Sequence, residues 1–199
     1  MSQKEIEKLK DKYKPGIKIK LLKEMVDEDH SVDVGEIGVV DFVDDIGTIH
    51  VRWESGSGLG LIPNVDEFEI VEKIKVIMVE VGKEPYVKEI YNTLKDMQEM
   101  VGGLIDRVPT FFSEEKSYDF VFNDEGKMIG LPLNRYIFEK KDAIAGDFMV
   151  IKGDDSIGEY ITISDDEIDF LLNQVKEKCP EFNMFEYLMN QREEEEIER

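Results

Sequence analysis

A chain of 199 residues with 41% hydrophobic and 10% aromatic side chains can bury one large core or two small ones, which excludes general disorder. Its 46 Asp and Glu against 25 Lys and Arg leave a net charge of −21, a field that repels phosphate backbones, so no direct nucleic-acid binding is expected. Cys179 is the single cysteine, which rules out an internal disulfide or cysteine-built zinc site; with no long apolar run, neither membrane insertion nor secretion is expected, and a cytoplasmic setting follows.

The charge is uneven. Residues 1–23 carry eight Lys and three acids, whereas residues 24–73 carry two basic residues and fourteen acids. Residues 1–13 therefore read as a basic, amphipathic N-terminal arm. Pro15-Gly16 ends it, and Ile17, Ile19 and Leu21 alternate with Lys18, Lys20 and Leu22 as a half-buried strand does. The acidic stretch from Asp27 to Asp33 is a surface loop that feeds a second strand at Gly35 to Phe42. Asp45-Ile46-Gly47 turns the chain into Thr48 to Trp53, where Ile49, Val51 and Trp53 share one face. After Glu54-Ser55-Gly56-Ser57-Gly58, Leu59 to Ile62 returns, and a last strand runs through Phe68 to Val71. Five short strands between Gly and Asp turns predict a small closed SH3-like β-barrel over residues 14–73. The segments Gly-Glu-Ile-Gly-Val-Val, Gly-Thr-Ile-His-Val-Arg-Trp, Leu-Gly-Leu-Ile-Pro and Asp-Glu-Phe-Glu-Ile-Val resemble domain-of-unknown-function family 4314, over about residues 14–72. That resemblance implies a setting in phages and mobile elements of Gram-positive bacteria and supplies no activity.

Ile74 to Val81 is apolar but for Lys75 and Glu80 and begins a new core, as a strand covered on both faces. Tyr86 to Ile90 predicts a second strand. Asn92 is placed to cap a helix with Leu94, Met97 and Val101 on one face, and Gly102-Gly103 stops it. Strands follow at Leu104 to Val108, at Tyr118, Phe120 and Phe122, and at Asp147 to Ile151, with Leu131 to Arg135 as a connection. Ser164-Asp165-Asp166-Glu167 is a capping box that opens a helix bearing Ile168, Leu171, Leu172 and Val175. Residues 74–178 thus predict an α+β domain, and residues 179–199 a helical, acidic tail with Glu193 to Glu196 solvated. The segments Asn92-Thr93-Leu94, Val101-Gly102-Gly103, Asn123-Asp124-Glu125-Gly126-Lys127, Leu131-Pro132-Leu133-Asn134-Arg135 and Ile144-Ala145-Gly146-Asp147-Phe148 resemble domain-of-unknown-function family 3846, over about residues 74–170. This family too implies a phage or mobile-element setting.

No catalytic residue stands out. His30 and His50 are the only histidines, and each reads as a surface residue. The Asp27-Glu28-Asp29-His30 cluster fails the calcium-loop pattern, because Val32 stands where Gly is needed and Gly38 where Glu is needed. Neither phosphate-loop pattern is present, so no metal and no cofactor is expected, and Cys179 reads as an apolar filler. The polar residues offered as a binding site are Asn134 and Arg135, Asn123, Thr93, and Gly102 with Gly103, since amides, a guanidinium and free backbone N–H groups recognise phosphate or carboxylate. Turn formation and capping account for the same residues. Trp53 joins them as an aromatic able to line a peptide groove, against its reading as core. The expectation is a non-enzymatic accessory binding protein that blunts a bacterial host defence protein by direct contact. The alternatives are a sponge for a nucleotide-like signal and an acidic DNA mimic.

Overall fold

The computed structural model describes residues 1–27, 30–138, 141–156 and 158–189. The chain divides into two compact units, Met1–Glu72 and Lys73–Arg199, each mostly β. The run from Glu193 to Glu196 lies outside the described residues.

In the first unit, the basic, amphipathic stretch forms helix α1 (Gln3–Lys12). The Ser2 N–H and hydroxyl both donate to Glu5, at 2.6 and 2.9 Å, while Lys10 and Lys12 offset the dipole at the far end. Ile6 and Tyr13 are buried, which docks the helix, and its lysines stay outside. Strands β1 (Lys18–Leu21), β2 (Met25–Val26), β3 (Ser31–Val32), β4 (Ile37–Val43), β5 (Ile49–Trp53) and β6 (Phe68–Ile70) follow. Four of them make an antiparallel sheet in the order β5-β4-β1-β6, and β2 pairs only with β3. Alternation puts Ile19, Leu21, Val40, Ile49, Val51 and Trp53 into one core, each worth about 1.5–3 kcal/mol when fully buried.

The expected closed barrel is not formed: β5 and β6 are the two edges and do not pair. The segment from Leu59 to Ile62, expected to return as one of the five strands, contributes only the Leu61–Ile49 bridge, with both N–H···O bonds at 2.9 Å. Gly58, Gly60 and Pro63 weaken it as a strand. Gly60 is fixed by the close approach itself, since a Cβ there would lie 2.7 Å from Thr48 Cγ2.

The second unit runs β7 (Lys73–Val79), β8 (Tyr86–Tyr91), α2 (Leu94–Val101), β9 (Ile105–Pro109), β10 (Tyr118–Asn123), β11 (Leu133–Ile137), β12 (Asp142–Ala145), β13 (Phe148–Asp154), β14 (Glu159–Ile161) and α3 (Asp165–Glu177). Its main sheet is antiparallel in the order β8-β7-β13-β10-β9, with β14 on β13. The central strands feed two cores by strict alternation. Ile77, Val79, Phe120, Phe148 and Val150 pack under Leu171 and Val175 of α3. Val76, Met78, Val121, Met149 and Ile151 pack under Met97 and Val101 of α2. This is why β7 reads as an unbroken apolar run.

Two local expectations change. The N-cap of α2 is Thr93, whose hydroxyl accepts from Asp96 N–H at 3.1 Å, while the Asn92 amide donates to the Tyr160 carbonyl at 2.9 Å. Leu131 to Arg135 is not a plain connection, because β11 begins at Leu133. Its partners are β12 and the distant segment at 180–182: Tyr136 N–H donates to Pro180 and Phe182 N–H to Asn134, at 3.0 and 2.9 Å. The Pro132 turn signal hides a strand whose second neighbour lies some 45 residues downstream.

Candidate functional site

The polar residues singled out from sequence fall into separate places. Asn123, Gly102 and Gly103 meet at the C-terminal end of α2, where Gly102 adopts φ 73° as the C-cap. Asn123 Nδ2 donates to the Gly102 carbonyl at 3.0 Å and its Oδ1 accepts from Glu125 N–H at 2.9 Å. A Cβ at Gly103 would lie 2.4 Å from that Nδ2. Thr93 caps the opposite end of the same helix. Asn134 is buried and donates to the carbonyls of Val79 and Gly146 at 3.0 and 2.9 Å, holding β11 to the end of β7. Arg135 Nη1 donates to Asn134 Oδ1 at 2.9 Å and Nη2 to the Lys83 carbonyl at 3.3 Å. Trp53 is buried in the first unit, with Nε1 donating to the Leu59 carbonyl at 2.7 Å. Each polar group is thus engaged by the chain's own backbone or side chains. His50 stacks on Phe42 at 4.3 Å and lies 3.1 Å from Asp44.

A buried carboxylate escaped the sequence reading. Glu167, 3% exposed, receives Lys116 Nζ at 2.7 Å, Lys152 Nζ at 2.8 Å, the Tyr118 hydroxyl at 2.9 Å and the Ser164 hydroxyl at 2.6 Å. Burial alone would raise its pKa, but the two lysines and Ser164 outweigh it and hold the group far below the ordinary carboxylate range. Burial, and then the hydrogen bond to Glu167, push the Tyr118 hydroxyl well above its ordinary value. With its acceptor positions taken, Glu167 has no lone pair left for proton transfer, and it clamps α3 onto β10 and β13. A second polar cluster pairs Arg107 Nη1 with buried Asp119 at 2.7 Å beside Tyr160, along a cleft of about 320 Å³. Among the described residues, no group of three or more His, Cys, Asp or Glu is placed to hold a metal ion.

A larger unfilled space lies elsewhere in this unit: a cavity of about 620 Å³, within the size range of small-molecule sites. Its floor is Phe112, Phe120 and Cys179, all buried. Phe112 and Phe120 meet edge to face at 5.5 Å. Phe111 and Phe138, 78% and 42% exposed, stand at its mouth with ring centroids 6.5 Å apart. Phe138 has φ 52°, a left-handed conformation that costs a bulky residue on the order of 1–3 kcal/mol. One polar residue belongs to the lining, with a hydroxyl that is itself sealed from the open space. Thr110, 9% exposed, follows β9, and its buried Oγ1 has no hydrogen-bond partner. Burial pushes the Cys179 thiol up to about 12, although Arg135 and Lys178 pull it the other way, so it is an inert wall atom rather than a nucleophile. Lys141 and Lys178 complete the rim.

Sequence reasoning missed this cavity because its walls come from four distant segments: the end of β9, β10, the turn after β11 and the end of α3. The one local signal was Thr110-Phe111-Phe112, two aromatic residues in sequence beyond a Pro-ended strand.

No curated protein matches the chain, and no solved structure does either. Two family models match it: residues 2–71 match the domain of unknown function DUF4314, a span that takes in α1, and residues 74–176 match the domain of unknown function DUF3846. The second match covers more than half of the chain, and no described helix is long and apolar enough to cross a membrane. Its segments from β7 through α3 carry both the Glu167 clamp and most of the cavity wall, and by that match the chain belongs to the DUF3846 family.

Proposed function

We propose that this chain is a non-enzymatic accessory binding protein of a phage or mobile element, acting in the bacterial cytoplasm, whose second unit captures a small molecule in the Phe111–Phe138 cavity. The observation that carries this reading is 620 Å³ of open space walled by Phe111, Phe112, Phe120 and Phe138. The floor consists of apolar groups, so a nucleotide, with its many donors and acceptors, would leave most of them unsatisfied. The favoured guest therefore has an apolar body. The first unit, read as an SH3-like module, would dock or orient the second. The test is fluorescence titration of the full chain with the neutral apolar dye phenyl naphthylamine. Saturation at one equivalent supports the reading; a linear, unsaturable signal overturns it.

A second reading, inhibition of a host protein by direct contact, draws on a different feature. The helical stretch at 184–189 leaves Met184, Phe185 and Leu188 more than half exposed, the kind of apolar surface a partner covers. A chain with Phe185→Asp and Leu188→Asp should then lose a partner recovered by the wild type from a Gram-positive host. Equal recovery by both removes this reading.

A further inference from the structure

Among the described residues, the cavity rim differs in charge from the rest of the molecule. The chain carries 46 acidic residues against 25 basic ones, yet the described lining includes two lysines and no carboxylate. Several other lysines of this unit end on carboxylates, Lys75 on Asp165 at 2.5 Å, Lys116 and Lys152 on Glu167, Lys127 on Asp142 at 2.5 Å, and Lys176 on Glu84 at 2.7 Å, while Lys73 lies over the Tyr91 ring. Lys141 and Lys178 make no ion pair among the described residues. Lys178 also sits at the negative end of α3, which accounts for a cation at that position. Nothing comparable accounts for Lys141, in the turn after β11.

We propose that the guest is an anionic amphiphile: a ring-bearing apolar body seated on Phe112 and Phe120, and a single carboxylate, sulfonate or phosphate head held by Lys141 and Lys178. This rests on the reading of the cavity as a small-molecule site. The division of labour follows from the lining. The floor rewards apolar area, so a charge cannot be placed there without a large desolvation cost. At the rim, two ammonium groups meet water and a headgroup together, and charge-assisted hydrogen bonds to an anion are the stronger kind. The acidic field of the whole chain opposes an anion at long range. Because that field is screened by salt more than a direct contact is, the affinity for the head survives physiological ionic strength.

The test uses two dyes that share one body and differ by a single charge: anilinonaphthalene sulfonate and the neutral phenyl naphthylamine. Both are titrated against the full chain and against a chain with Lys141→Glu and Lys178→Glu, whose fold is checked by circular dichroism. The wild type should bind the sulfonate about tenfold more tightly than the neutral dye, and the double variant should lose about that factor for the sulfonate while holding the neutral dye within about twofold. Equal affinities for the two dyes, or a ratio unchanged in the variant, overturn the anionic head and leave the cavity reading standing. Failure of both dyes to saturate overturns the cavity reading itself. Should the double Glu variant fold poorly, Lys141→Met with Lys178→Met removes the charge without adding repulsion, and the same loss of preference for the sulfonate is expected.

Discussion

Lys152 Nζ lies 2.8 and 2.9 Å from the two carboxylate oxygens of Glu167, so a strand at the centre of the sheet and the first turn of α3 are joined by a forked ion pair inside the protein. Removing the acid while keeping its shape leaves Lys152 largely buried without its counter-charge. Glu167→Gln should therefore lower the unfolding free energy by roughly 3 kcal/mol at neutral pH, read by urea denaturation. A loss below about 0.5 kcal/mol, the range of ordinary surface substitutions, would mean that the clamp does not hold α3.

The same group sets a pH dependence with a definite sign. Its folded pKa is depressed below the usual 4.5, so the unfolded chain takes up the proton first as pH falls. The stabilisation is complete above the unfolded value and is lost progressively as pH drops from there toward the folded one. The difference in Tm between wild type and Glu167→Gln should be largest near pH 7 and shrink below about pH 4.5. A difference that grows on acidification contradicts the assignment.

Asn123 and Gly103 should behave as one device. Gly103→Ala forces the Asn123 amide off the Gly102 carbonyl, and Asn123→Ala removes that amide outright. Each single change should cost about 1–2 kcal/mol, and the double variant should cost little more than one of them, a coupling of about 1 kcal/mol. Additive losses would show that the two residues act separately.

Thr110→Val replaces an unpartnered hydroxyl with a methyl of the same shape. The apo chain should gain up to about 1 kcal/mol, read as a higher Tm. A loss of that size would mean that the hydroxyl has a partner in the unliganded protein.

Cys179 should be slow to alkylate. With its thiol pushed up to about 12, little thiolate exists at pH 8, and iodoacetamide should label the folded chain at least about a hundredfold more slowly than the chain in denaturant. Equal rates would place the sulfur at the surface.

Much of the fold is legible in the sequence wherever a local pattern carries the information. The Ser164 and Glu167 capping box, the Gly102 stop and the alternation of Ile49, Val51 and Trp53 all appear as expected. What was hidden depends on distant partners. The barrel stays open because Leu61 meets Ile49 at one point only, which the apolar segment from Leu59 to Ile62 does not reveal. β11 looks like a loop until residues 180–182 pair with it. Asn134 and Arg135 carry the right chemistry for a ligand, but their donors close on carbonyls of Val79, Gly146 and Lys83, which sequence spacing cannot show. Glu167 was visible as a cap, whereas its two lysines arrive from positions 51 and 15 residues away. The cavity is a property of packing alone.

The central claim is that a small apolar-bodied guest occupies that cavity, and the most direct measurement is amide and side-chain NMR of the full chain during titration with phenyl naphthylamine. The account predicts saturable shifts at one equivalent, concentrated at Thr110, Phe112, Phe120, Phe138 and Cys179, with the first unit unmoved. Shifts that fall instead on Trp53 and its neighbours, or that scatter over both units without saturating, would contradict it.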